Sequence, residues 1–133
     1  MKKALAFLFA IILAFSISGC GIPFMAEKTV SESEIFREAE INNAMFAVYK
    51  HFALHFEGCV LLSIEYDEEY SKKRAEEWAE RYDKDMAIVL LSDFYVYGET
   101  DGSLAPGETY RKWNWILVKD KGGFWQLKDG GYG

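Results

Sequence analysis

His51 and His55 are the first residues whose spacing suggests chemistry. They lie four positions apart in a stretch with helical apolar spacing, so their rings could share one side of a helix and bind a metal ion, with Glu57 as a third ligand. The HExxH pattern of zinc proteases is absent. Histidines near the end of a helix also occur as solvated groups that interact favourably with the helix dipole. We favour that second interpretation, and we predict neither a resident metal nor a cofactor.

Asp93 is the residue that most suggests catalysis. In a predicted strand it shares one face with Tyr95 and with apolar neighbours. If that face lines a cavity, Asp93 would be a desolvated base beside a phenol, an arrangement suited to proton abstraction. If the face is exposed to water, Asp93 is an ordinary surface charge. We favour water, because the opposite row is more apolar and makes the better core face: Ile88, Leu90, Phe94 and Val96.

Three tryptophans suggest a binding surface. Trp113 and Trp115 share one face of a predicted strand, and Trp125 follows on the next strand, so the three could form a stacking platform for a sugar or a peptide. Aromatic residues in a small sheet more often pack against a helix, and we favour that role. A glycine-rich phosphate loop and a nucleophile elbow are both missing from the sequence. We therefore predict no catalytic residue.

The elements that would position these residues follow from apolar periodicity and turn signals. Ser31 and Glu34 have the spacing of a capping box, which predicts that a long helix starts there. Gly58 would end that helix. Its apolar stripe consists of Ile41, Ala44, Met45, Val48, Phe52 and Phe56.

Four strands and a second helix are predicted after Gly58. The charged segment 66–82 has the pattern of a shorter helix. The strands are predicted at Cys59 to Tyr66, Met86 to Tyr97, Tyr110 to Asp120 and Phe124 to Asp129. This order predicts an α+β fold, in which a long N-terminal helix packs on a curved antiparallel sheet of about four strands, with the second, shorter helix beside them.

The first nineteen residues have the layout of a secretory signal. Lys2 and Lys3 precede an apolar stretch from Ala4 to Phe15, which is shorter than the roughly 20 residues needed to span a bilayer. We therefore expect a signal at 1–19, a short tether at 20–30 and a single domain at 31–133.

The stretch "ISGC", residues 17–20, resembles the lipobox of bacterial lipoproteins. That resemblance implies cleavage before Cys20, a diacylglyceryl group on its sulfur, and anchoring at the extracytoplasmic face of the cell membrane. Acyl chains of this kind hold a protein stably, since each buried CH₂ contributes about 0.8 kcal/mol. Ordinary signal cleavage that leaves a plain thiol at Cys20 is the alternative.

Charge and cysteine content narrow the possible partners. Without residues 1–19, which hold two lysines and no acids, the chain has 13 basic and 21 acidic residues, a net charge of −8. Nucleic acid is therefore not an expected partner. With Cys20 acylated, Cys59 has no cysteine left to pair with, and its apolar surroundings predict a buried thiol.

The predicted order of elements resembles the cystatin-like superfold and its nuclear transport factor 2-like branch, which implies a cone-shaped domain. More narrowly, four blocks within residues 34–132 look like a group of small lipoproteins from Gram-positive anaerobes: "GCVLLSIEYDEE", "AIVLLSDF", "DGSLAPGETYRKWNWILV" and "GFWQLKDGGY". No activity is established for that group, so the resemblance implies no functional residues.

The sequence leads to two functional hypotheses. The first is a lipid-anchored accessory module that binds an envelope protein or a small molecule without turnover. The alternative is a small pocket enzyme of the isomerase, dehydratase or hydrolase type that uses Asp93 with a tyrosine. An interior pocket of several hundred Å³ would favour a ligand or a reaction, whereas a filled interior would favour protein contact through the outer sheet face.

Overall fold

A computed structural model describes residues 26–100 and 102–132 of the chain. Two helices and five strands make up this part. In chain order they are β1 (Glu27–Val30), α1 (Glu38–His55), β2 (Cys59–Tyr66), α2 (Glu68–Arg81), β3 (Met86–Val96), β4 (Thr109–Lys119) and β5 (Gln126–Gly131).

The five strands form one mixed sheet in the order β1-β2-β3-β4-β5. β1 runs parallel to β2, with Glu27 opposite Ser63 and Val30 opposite Tyr66. All other pairs of neighbouring strands are antiparallel. A parallel pair needs a long crossover connection, and α1 provides the one between β1 and β2.

The two helices lie on opposite faces of the sheet. In β3, Ile88 and Leu90 belong to the apolar cluster that contains the buried stripe of α1. The alternate residues, Ala87 and Val89, belong to a smaller cluster with Ala79 of α2. Because successive side chains of a strand point to opposite faces, the sheet is a layer between α1 and α2.

The predicted fold class, with a curved antiparallel sheet of about four strands and a long N-terminal helix, is wrong. The sheet has five strands and is mixed, because residues 27–30 of the expected tether form β1. The long N-terminal helix is not there as predicted: β1 is the first described element, and α1 begins only at Glu38. The helices also cover opposite faces, so the sheet does not enclose α1 as a cone would.

The capping box predicted at Ser31 is absent because serine side chains of this loop have other partners. The Ser31 hydroxyl accepts a hydrogen bond from the Glu68 amide at 3.0 Å, at the start of α2. The Ser33 hydroxyl accepts one from the Phe36 amide at 2.8 Å and donates to the Glu68 carboxylate. The hydrogen bond from the Ser33 hydroxyl, followed by one from the Glu34 amide, lowers the pKa of the Glu68 carboxyl. Together with the bond to Ser31, these contacts tie the segment before α1 to α2.

Candidate functional sites

The interior between α1 and the sheet is filled by side chains. Phe94, Trp115, Met45 and Ile88 in this layer are each at most 2% exposed. The rings of Phe52, Phe56 and Phe94 pack together, with centroids 4.8–5.6 Å apart. The described residues thus form a packed core where a cone-shaped domain would hold a cavity.

Clefts do occur at the surface. One of about 380 Å³ lies beside α2, with Ala75, Ala79 and Met86 among its lining residues and charged side chains around it. Another, of about 580 Å³, lies beside the end of α1 and includes His55, Glu57 and Glu99. Neither of these two clefts contains Asp93 or a tryptophan, and the second contains His55 and Glu57 of the predicted metal site. A third, of about 290 Å³, is lined by Trp125 together with Lys119 and Phe124.

Asp93 stabilises an irregularity in β4. Its carboxylate accepts a hydrogen bond from the Lys112 amide at 2.9 Å and forms an ion pair with the Arg111 guanidinium at 3.4 Å. The pairing register between β3 and β4 shifts at this point, and Lys112 has a positive φ of 56°. These are features of a β-bulge. The side chain of Asp93 is 26% exposed, which places it at the surface, where it holds the bulge in shape.

His51 and His55 do come together. Their ring centroids lie 4.7 Å apart, and His51 also contacts Phe56 and Trp115. Burial, and secondarily the neighbouring His55, lower the pKa of His51. Within residues 26–100 and 102–132, Glu57 completes no metal site, since no three His, Cys, Asp or Glu side chains are grouped to hold an ion.

The three tryptophans do not form one platform. Trp113 and Trp115 lie on the α1 side of the sheet with ring centroids 6.4 Å apart, and both pack against Phe56. Their indole nitrogens are buried and have no hydrogen-bond partner among the described residues, so neither is available to a ligand. Trp125 packs separately against Phe36, with centroids 5.6 Å apart.

Trp125 belongs to a partly buried polar group that the sequence did not indicate. Its indole N–H donates to the Glu40 carbonyl at 2.9 Å, and the ammonium of Lys119 lies 4.9 Å from its ring centroid. Lys119 also donates to the Glu40 carboxylate at 2.9 Å, and its side chain is only 11% exposed. The group links α1, β4 and the segment before β5, which is a structural role.

An uncovered apolar row is the feature that sequence analysis missed. Val60 and Leu62 of β2 and Tyr95 of β3 are 43%, 42% and 36% exposed. Val60 lies directly opposite Tyr95, and both point away from the core that contains Leu61 and Phe94. Leu62 is the extra residue of a bulge in β2, where the pairing with β3 shifts register, and its side chain is exposed there. We call these three residues the outer-face row. α2 packs on Ala87 and Val89 of β3 and leaves this part of the same sheet face open.

Two predictions concern residues outside or beside these sites. Cys20 lies outside the described residues, so its lipidation stays a prediction. Cys59 is half-buried against the core, and its Sγ lies 3.8 Å from the Glu57 carbonyl oxygen.

Among the described residues, neither helix has the length and apolar character required to traverse a bilayer.

Comparison with known proteins identifies no relative: no protein-family model, curated protein or solved structure matches the chain.

Proposed function

We propose that this chain is a membrane-anchored extracytoplasmic lipoprotein whose domain binds a protein partner through the outer-face row and performs no catalysis. The anchor rests on the lipobox-like residues 17–20 and on the signal-like stretch before them. The binding role rests on the row itself, in which Val60, Leu62 and Tyr95 remain exposed on a sheet whose other face is fully packed.

The chemistry of the row favours a protein partner. Aliphatic and tyrosine side chains exposed on a sheet face bury area well against another protein, and aromatic residues are enriched at such interfaces. The net charge of −8 without residues 1–19 favours a partner whose apolar patch is bordered by basic residues. The filled interior speaks against a small ligand held inside the domain.

The enzyme alternative lacks support from the geometry of Asp93. Both carboxylate oxygens have partners within the protein, Lys112 and Arg111, and the side chain does not line any of the three surface clefts described above. A general base needs an oxygen directed at a substrate proton. Here the carboxylate is directed at the bulge of β4.

Photo-crosslinking from Tyr95 in living cells tests the binding role. A photoreactive amino acid at this position should yield one discrete protein adduct, and Leu62→Arg should abolish it by removing apolar area and repelling a basic border. Ile35→Arg, the same change at an aliphatic side chain that is 52% exposed outside the row, is the matched control and should leave the adduct intact. Absence of an adduct, or equal loss with both variants, would refute the role of the row.

A further inference from the structure

The third surface cleft, between α1 and the turn that joins β4 to β5, has both aromatic and charged walls. Its volume of about 290 Å³ is at the lower end of the range for small-molecule sites, which leaves room for one ring-sized ligand. We call it the aromatic cleft. Its lining includes Glu40, Asn43 and Phe46 of α1, Lys119 of β4, and Phe124 and Trp125 of the turn.

The aromatic side chains of this cleft combine one fixed ring with exposed ones. Trp125 is held by its N–H, which donates to the Glu40 carbonyl at 2.9 Å, and by the ring of Phe36, with centroids 5.6 Å apart. Phe124 is 91% exposed, and its ring contacts no other ring among the described residues. An exposed ring beside a fixed indole suits stacking against a flat apolar surface.

The charged side chains offer a hydrogen-bond donor and an acceptor side by side. Lys119 donates to the Glu40 carboxylate at 2.9 Å, and its side chain is only 11% exposed. This hydrogen bond lowers the pKa of Glu40, so that the carboxyl is ionised at neutral pH and acts only as an acceptor. An ammonium has three N–H donors, and in the described part of the chain Glu40 uses one of them.

Asn43 adds a second donor and acceptor on the exposed surface of α1. Its side chain is exposed and has no hydrogen-bond partner within residues 26–100 and 102–132. The charges of Glu40 and Lys119 cancel, so the pair favours neither an anionic nor a cationic ligand. A hydroxyl group both donates and accepts, and it therefore matches all three polar side chains.

The shape of the cleft disfavours a peptide. Extended peptides bind by adding a strand to an open sheet edge, and helical peptides need a long apolar groove. Lys119 lies in β4 and is paired with Met86 of β3, and the other walls are a helix and a turn, so the cleft has no open strand edge.

We infer that the aromatic cleft binds one pyranose ring of a sugar, which stacks on Phe124 while Glu40 and Lys119 bind its hydroxyl groups. A pyranose has flat faces of C–H groups, which pack on aromatic rings, and a rim of hydroxyls. Asn43 would bind a further hydroxyl at the opening. This role goes beyond the proposed protein contact, because the cleft lies on the α1 side of the sheet and the outer-face row on the other side.

Nuclear magnetic resonance of the full chain, labelled with ¹⁵N in tryptophan and asparagine, tests this inference. The protein would be held in a phosphocholine detergent, which has no sugar headgroup. The probes are the methyl pyranosides of glucose, galactose, mannose and N-acetylglucosamine. At least one should shift the indole signal of Trp125 and the side-chain amide of Asn43 with a common Kd, and leave the indole of Trp78 unchanged. Glucitol, a linear polyol without a ring face, should shift neither.

Substitutions at exposed positions link the binding to the cleft. Phe124→Ala should weaken it about fivefold, the effect of one aromatic contact. Asn43→Ala should weaken it about two- to tenfold through a lost hydrogen bond. Tyr97→Ala is the matched control, since Tyr97 is an aromatic residue with 67% exposure that does not line the cleft, and it should leave the Kd unchanged. The dispersion of each spectrum verifies that the variant is folded.

Two results would overturn the inference. One is that no pyranoside shifts the Trp125 indole at about 20 mM, a concentration that detects even weak binding. The other is that Phe124→Ala and Tyr97→Ala change the Kd equally. The linear tetramer of the sugar that binds identifies the source of the ring: binding at least as tight as that of the monosaccharide indicates a glycan chain, and loss of binding indicates a free sugar.

Discussion

Glu40→Gln is expected to lower the free energy of unfolding by about 2–3 kcal/mol, because it leaves the ammonium of Lys119 without its counter-charge. Loss of one partner of a fully buried ion pair costs about 3–5 kcal/mol. We expect less here because the Glu40 side chain retains 19% exposure and Lys119 would keep its contact with Trp125. Urea denaturation at pH 7 measures the difference.

Lys119→Met provides the matched control for the same pair. Methionine preserves most of the aliphatic length of the side chain, and Glu40 keeps both its partner Arg37 and its access to water. We therefore expect a loss under about 1 kcal/mol. Equal losses for Glu40→Gln and Lys119→Met would contradict the asymmetry that the burial of Lys119 implies.

The pH dependence of the Glu40→Gln effect has a defined sign. The hydrogen bond from Lys119 keeps the pKa of Glu40 below its ordinary value. A carboxyl with a lowered folded-state pKa contributes stability above its unfolded pKa, about 4.3, and loses it as the pH falls through the folded-state pKa. The stability gap between wild type and variant should thus be constant at neutral pH and shrink in acid. A gap that widens between pH 6 and pH 3 would contradict the account.

Gly130→Ala is expected to destabilise the domain by about 1–3 kcal/mol, the usual cost of overpacking a core. A Cβ at Gly130 would lie 2.8 Å from Cζ3 and 2.9 Å from Cε3 of Trp115, and 3.1 Å from Nε1 of Trp113. Trp115 is 2% exposed and is enclosed by other rings, so it has little room to move. Thermal unfolding followed by near-ultraviolet circular dichroism would report both the stability and the tryptophan packing.

Gly131→Ala, at the next residue of β5, is the control for backbone effects. A Cβ there meets no atom within 4 Å. Its effect should be close to zero or slightly stabilising, because alanine restricts the unfolded chain. If Gly130→Ala and Gly131→Ala had the same effect, steric contact with Trp115 would not be the cause.

Local periodicity predicts strands better than it predicts layers. β2 occupies Cys59–Tyr66 as its run of strand-forming residues indicates, and β3 ends within one residue of its expected position. The side of the sheet that α2 covers is set by Ala87, Val89, Ile116 and Val118. In the sequence these residues simply alternate with the core residues on the α1 side, so they do not indicate which helix covers them. Only contacts between residues distant in sequence determine whether α2 covers the same face of the sheet as α1 or the opposite face.

The first helix shows how tertiary contacts override a local signal. Ser31 and Glu34 have capping-box spacing, yet the Ser31 hydroxyl is used by the amide of Glu68, which is distant in sequence. Similarly, the strand formed by residues 27–30 is only four residues long and obtains its hydrogen bonds from β2. Neither the contact of Ser31 with Glu68 nor the pairing of residues 27–30 with β2 has a local sequence signature. For this reason the fold class predicted from the sequence is wrong.

The candidate sites depended on contacts that sequence spacing does not reveal. Asp93 looked like a base or a surface charge, but its carboxylate holds the bulge at Lys112, whose positive φ is not encoded by a glycine. The outer-face row did have a partial signal, since Val60 is apolar at a position where β2 alternates away from Leu61. The exposure of Leu62 results from the bulge in β2, which the sequence does not indicate. An apolar residue on both faces of a strand indicates a second covering layer or a docking surface.

The N-terminal peptide of natively purified protein provides the most direct test of the central proposal, which is anchoring through Cys20. Mass spectrometry of membrane-extracted material should identify a peptide that begins at Cys20 and carries a diacylglyceryl group on its sulfur. A Cys20→Ala variant should lose that modification and leave the membrane fraction. An unmodified thiol at Cys20 in the wild-type protein, or a peptide that still begins at Met1, would contradict the account.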